Sequence, residues 1–110
     1  MRGVKNDDRK LRWSLLPPGP LEDIVRVLSF GAKKYSPDNW LFVGDGERRY
    51  LDAALRHINA YRKGSKKDKQ SNRSHISHAL CCLIFLWHFE QERYKNERKT
   101  RKAVKKNSVR

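Results

Sequence analysis

The stretch Ala79–Trp87 is apolar on nearly every side of a helix. A surface helix carries one apolar stripe, so a segment of this kind must lie centrally in a bundle or in a contact between subunits. It is the longest apolar run in the chain, and far too short for a bilayer, which takes about 20 residues. The surrounding pattern predicts a helix from about His75 to Tyr94, fraying towards residue 103, with Ser74 as its N-cap.

Two further helices are expected before it. Leu21, Ile24, Val25, Leu28 and Ala32 follow helical spacing, so a first helix should start near Leu21 and end by Tyr35. The prolines of the preceding Trp13–Pro20 segment oppose helix, and Trp13, Leu15 and Leu16 are expected to strap that segment onto the domain. A second helix should run from Glu47 to Lys63, with Leu51, Ala54, Leu55 and Ile58 as its apolar stripe and Gly64 as its stop. Asn39–Gly46 and 65–73 read as loops, the second one flexible. There is no internal repeat and no β-alternation. The fold class is therefore all-α: a small bundle of three main helices, completed by oligomerisation. Residues 1–12 form a basic arm, 13–94 the helical domain and 95–110 a basic tail.

Oligomerisation is expected because 110 residues with 37% hydrophobic content make a thin core for a lone monomer. Charge points outward too. The formal net charge is +14, and residues 90–110 hold nine Lys/Arg against three Glu. Such an excess favours an anionic partner: nucleic acid, nucleotide phosphates or an acidic protein surface. Cys81 and Cys82 are adjacent and lie in the apolar run, so they read as buried, reduced thiols. With no apolar leader after Met1, this implies a cytoplasmic protein and no membrane partner.

Several residues could carry chemistry. Glu22 and Asp23 could ligate a metal at the start of the first helix, or simply complement its dipole. Lys34, Tyr35, Asn39 and Trp40 close that helix. They could meet a base and its phosphate, or pack as an aromatic corner. Arg56 could grip phosphate bidentately, and its neighbour His57 could hydrogen-bond a substrate or move a proton. His75 and His78 share a helix face with Cys82, Phe85 and Phe89. An i, i+3 histidine pair can bind a transition ion. No third ligand is evident in the sequence, so a polar cluster joining His57, His75, His78 and Asp68 is expected rather than zinc. His88 falls on another face and reads as structural.

Three blocks, in order, carry a family resemblance. The first is Trp13-Ser-Leu-Leu-Pro17 followed by Leu21–Tyr35, which ends Phe30-Gly-Ala-Lys-Lys-Tyr35, and then by Asn39-Trp40. The second is Tyr50 and Ala54-Leu-Arg-His57, with Ala60 and Gly64 beyond. The third is His75-Ile-Ser-His-Ala79 before the apolar helix. From Trp13 to Phe89 the chain resembles the phage dATP/dGTP diphosphohydrolase family. That resemblance implies a helical, Mg²⁺- or Mn²⁺-dependent enzyme, similar in style to all-α nucleotide pyrophosphohydrolases. Such an enzyme converts a purine deoxynucleoside triphosphate to monophosphate and pyrophosphate, in the host cytoplasm if phage-encoded. Glu22, Asp23 and Asp68 would then hold the metal. Lys34, Arg56 and Lys63 would neutralise the triphosphate, and His57, His75 and His78 would position substrate or water.

One stretch departs from the family pattern. Between Gly64 and His75 the family is acidic, whereas here Ser65, Lys66 and Gln70 stand where acids are expected, and only Asp68 and Ser71 match. Exchanging carboxylates for ammonium groups removes hard ligands for the metal and attracts phosphate directly. The rival expectation is thus a binding protein on the same scaffold. Its loop 65–73 and tail would engage nucleic acid, a nucleotide signal or an acidic host protein, as a phage inhibitor or anti-defence factor does.

Overall fold

The computed structural model describes residues 2–108, with Ser108 described for its backbone alone. Met1, Val109 and Arg110, the ends of the expected arm and tail, lie outside the described residues. Three α-helices make the fold: α1 (Pro18–Lys34), α2 (Gly46–Arg62) and α3 (His75–Ser108). Short 3-10 turns occupy Trp13–Leu15 and Asn39–Phe42. Helices α1 and α2 both pack on α3. No helix among the described residues is long and apolar enough to cross a membrane.

Helix α1 begins at Pro18, three residues earlier than expected. The first four N–H groups of a helix have no partner within it, so Pro18 and Pro20 forfeit no hydrogen bond there. Trp13 and Leu15 do not strap the domain; they are 75% and 69% exposed. At the other end Lys33 and Lys34 complement the negative helix terminus.

The end of α2 sets up the site. Gly64 takes φ 99°, open to glycine at little cost. Its N–H bonds the Tyr61 carbonyl at 3.0 Å, and the Ser65 N–H bonds that of Ala60 at 3.0 Å. This is the paired C-terminal motif that satisfies orphan carbonyls, and it reverses the chain towards α3.

Loop 65–73 is pinned rather than flexible. The Asp68 N–H donates to the Arg73 carbonyl at 2.8 Å, and the His75 N–H donates to that of Lys66 at 2.9 Å. Inside this frame Asp68 Oδ2 accepts the N–H of Ser71 at 2.9 Å and that of Gln70 at 3.1 Å. A short aspartate holding its own turn is the usual reason such a segment keeps one shape. Ser74 caps α3, its Oγ accepting the Ile76 N–H at 3.1 Å.

Helix α3 runs unbroken to Ser108, so the described part of the expected tail is helical. The pairs Arg93–Glu97 and Lys95–Glu92, each at 3.3 Å, lie on its polar half. Its first half provides the core, with Ala79, Cys81 and Cys82 buried beside Val27 of α1 and Ala54 of α2. Both thiols are free, and burial pushes them up to about 12 for Cys81 and about 11 for Cys82.

The buried face of α2 differs from the expected stripe. Ala54 is 1% exposed and Gly46 is buried, while Leu51, Leu55 and Ile58 are 42%, 53% and 41% exposed. Tyr50 and His57 share the inward face. On α1, likewise, Val25 is exposed and Val27 is buried. Leu83, Ile84 and Trp87 leave one side of the apolar segment of α3 open in the single chain.

Candidate functional site: a histidine–aspartate cluster

Three elements converge at the start of α3. From α2 comes His57, from the pinned loop Asp68, and from the first turn of α3 His75 and His78. The Nδ1 atoms of His57 and His75 lie 2.9 Å apart. The His57 ring stacks on that of His78, with centroids 4.7 Å apart and planes 16° apart.

The hydrogen bonds fix most of the protons. Ser71 Oγ donates to Asp68 Oδ2 at 3.1 Å, so it accepts from His78 Nε2 at 2.6 Å and from the Arg73 N–H at 3.2 Å. His78 therefore keeps the Nε2–H tautomer, with Nδ1 as an acceptor. His75 Nε2 lies 3.1 Å from Ser65 Oγ, the residue that the helix-ending motif places there.

Burial disfavours charge on two of the imidazoles, His57 and His78. Burial lowers His57 to about 4, helped by the neighbouring His78 and His75. Burial also lowers His78, against the opposing pull of Asp68. Burial alone would raise the Asp68 carboxyl, but the Ser71 hydrogen bonds and the two imidazoles outweigh it and hold it below its usual range. A pH effect on stability follows. At pH values falling from 6.5 to about 4 the unfolded chain protonates its His57 while the folded chain does not. Stability is therefore full above this window and is lost through it, by about 1–2 kcal/mol after discounting for solvent around a half-exposed ring. Urea denaturation across pH 4–7 should show this slope in the natural sequence and a weaker one in His57→Gln.

The remaining expected site residues are distributed as follows. Lys34 Nζ reaches Gln70 Oε1 at 2.7 Å, which ties the end of α1 to the loop. Tyr35 is 64% exposed with the Lys34 ammonium 5.1 Å from its ring centre. Asp23 accepts from Ser77 and Arg73, and Glu22 pairs on the surface with Arg26. Neither joins Asp68 in a ligand group: the one such group among the described residues is His57, Asp68 and His75. Arg56 is exposed next to His57, and Lys63 is exposed at the end of α2. Asn39 is exposed and starts the 3-10 turn. Trp40 belongs to an aromatic corner, stacked on Phe85 at 4.3 Å with His88 and Phe89 at its edge. That stacking covers one face of the Trp40 ring.

Sequence reading missed Ser65 and Ser71, whose hydroxyls orient the imidazoles. Their positions seven and ten residues before the histidines carry no periodic signal. A groove of about 680 Å³ lies elsewhere, between the start of α2 and the middle of α3. Its lining includes Asp45, Glu47, Glu92 and Glu97 against Arg93 and Arg101, a balance that repels polyphosphate. The histidine cluster has Arg56 next to His57 in the chain, and Lys34 tied to its loop through Gln70.

Magnesium is a poor match for this cluster. It takes octahedral oxygen ligands, and the group offers one carboxylate and imidazole nitrogens.

Three helices with a histidine–aspartate cluster where α2, the loop and the start of α3 meet define a small all-α protein. The chain belongs to the dATP/dGTP diphosphohydrolase N-terminal family, whose model matches residues 1–100. It is similar to a dATP/dGTP diphosphohydrolase of Salmonella phage PMBT28, 36% identical over 87 residues. That match covers 79% of this chain and 29% of the relative. No solved structure matches.

Proposed function

We infer that this domain binds a purine deoxynucleoside triphosphate and hydrolyses dATP or dGTP to monophosphate and pyrophosphate. The observation that carries this is the cluster of His57, Asp68, His75 and His78 within a ring of cations, in a member of this family. Lys34, Arg56, Lys63 and the lysines of loop 65–73 would neutralise the triphosphate. The neutral imidazoles of His57 and His78 would orient a water by accepting its hydrogen bonds. That water's oxygen would bond the α-phosphorus, its proton passing to one of these imidazoles and on to solvent, as the bond to the bridging oxygen breaks and pyrophosphate leaves. Mg²⁺ or Mn²⁺ would enter as the counter-ion of the nucleotide, as part of the substrate.

The test is incubation with dATP or dGTP and Mn²⁺, scoring monophosphate and pyrophosphate. Turnover that disappears in Asp68→Ala is the expected result. A second reading, a non-catalytic binder of polyanions, is favoured by Lys66, Lys67, Lys69 and Arg73 in the loop and by the acid-free basic run from Arg98 to Lys106. Absence of turnover together with salt-sensitive retention on nucleic acid would decide for it.

A further inference from the structure

We propose that His57 Nδ1, His75 Nδ1 and a carboxylate oxygen of Asp68 form a three-ligand site for one transition ion of the zinc class, with no nucleotide required. The ligand atoms of these residues all lie within 4.8 Å of one another. The two nitrogens are 2.9 Å apart. Two nitrogens about 2.1 Å from one tetrahedral ion stand about 3.4 Å apart, so the imidazoles need to part by only about half an ångström to share one.

The supporting shell fits as well. A ligating imidazole normally donates its other N–H to a fixed acceptor, which sets the tautomer. For His75 Ser65 Oγ, 3.1 Å from Nε2, can serve as that acceptor, and with the proton on Nε2 the Nδ1 atom keeps its lone pair. The hydrogen bonds to Asp68 from Gln70 and Ser71 all fall on Oδ2, so the other oxygen is available. His75 is 8% exposed, and the three residues come from three separate elements. Two imidazoles and one carboxylate suit zinc, cobalt, nickel or iron rather than magnesium. Three protein ligands also leave a coordination position to solvent.

Two things oppose the site. Exposed loop lysines repel a cation, but solvent and salt screen them, whereas the ligands bond the ion directly. The short nitrogen contact could also be a plain imidazole–imidazole hydrogen bond with one shared proton. That is the alternative the experiment must beat.

Chelator-stripped protein without a histidine tag is titrated with Co²⁺ by visible absorption and with Zn²⁺ by calorimetry, nucleotide being absent. One equivalent should bind with micromolar affinity or tighter, and excess Mg²⁺ should not displace it. Binding should weaken by roughly tenfold or more in His57→Gln and in Asp68→Asn. As a check free of folding effects, nitrogen-15 spectra of the natural protein should show Zn²⁺ moving the Nδ1 signals of His57 and His75 but not those of His88. The proposal is overturned by no saturable binding, by equal affinity in the variants, by unmoved Nδ1 signals, or by a thiolate–cobalt band placing the ion at Cys82. Metal binding without nucleotide turnover would sink the hydrolase reading alone, and turnover without metal binding would sink this one alone.

Discussion

Asp68→Ala is expected to abolish turnover, by at least about 100-fold, and to loosen the loop that carries the site. The side chain accepts three hydrogen bonds, from the Gln70 N–H, the Ser71 N–H and the Ser71 hydroxyl. Through that hydroxyl it also orients His78. A hydrogen bond to a charged group contributes about 1.5–3 kcal/mol, and bonds sharing one acceptor do not add fully. A loss of about 2–4 kcal/mol in denaturant unfolding is the expected sum. Asp68→Asn separates the two effects. Its amide oxygen still accepts, so much of the stability should return, while the charge and the activity do not. Equal stability of Asp68→Ala and the natural protein would mean that the loop is held by its backbone bonds alone.

Gly46→Ala should destabilise the protein by about 1–3 kcal/mol through overpacking. A Cβ built on Gly46 would lie 2.5 Å from Phe89 Cζ and 2.6 Å from Cε2. The ring cannot simply step aside, because Tyr50 stacks along it at 6.0 Å and Trp40 meets its edge at 6.0 Å. Alanine's better helix propensity recovers at most about 1 kcal/mol. Gly31→Ala is the control: it sits inside α1, and nothing lies within 4 Å of the point its added methyl would occupy. That change should stabilise by about 0.5–1 kcal/mol. Urea curves of the two variants should shift in opposite directions, and a parallel shift would refute the packing argument.

The helix number, the Gly64 stop and the Ser74 cap were legible in the sequence, since each rests on local chemistry. The inward face of α2 was not. Aliphatic periodicity picks out Leu51, Ala54, Leu55 and Ile58; of these only Ala54 is buried, and the helix turns Gly46, Tyr50 and His57 inward with it. Small residues allow α2 to approach α3 closely, and the histidine cluster needs His57 at that contact, so tertiary packing overrides hydrophobic count. The histidine pair on α3 was visible from its spacing. His57 and Asp68 were expected beside it, but nothing in the separation between Asp68 and His75 tells that the loop folds back by an aspartate-held turn. The family resemblance placed Glu22 and Asp23 beside Asp68. In the fold those two acids have partners of their own, in Arg26 for one and Ser77 with Arg73 for the other.

The continuity of α3 works as a ruler between the histidine–aspartate cluster and the basic distal stem. At about 1.5 Å of rise per residue, Lys102 stands about 40 Å along the axis from His75. No single nucleotide can bridge that gap. Should a ligand sit at the imidazoles and a long polymer lie along the distal stem, the two would be side by side, and displacing one need not dislodge the other.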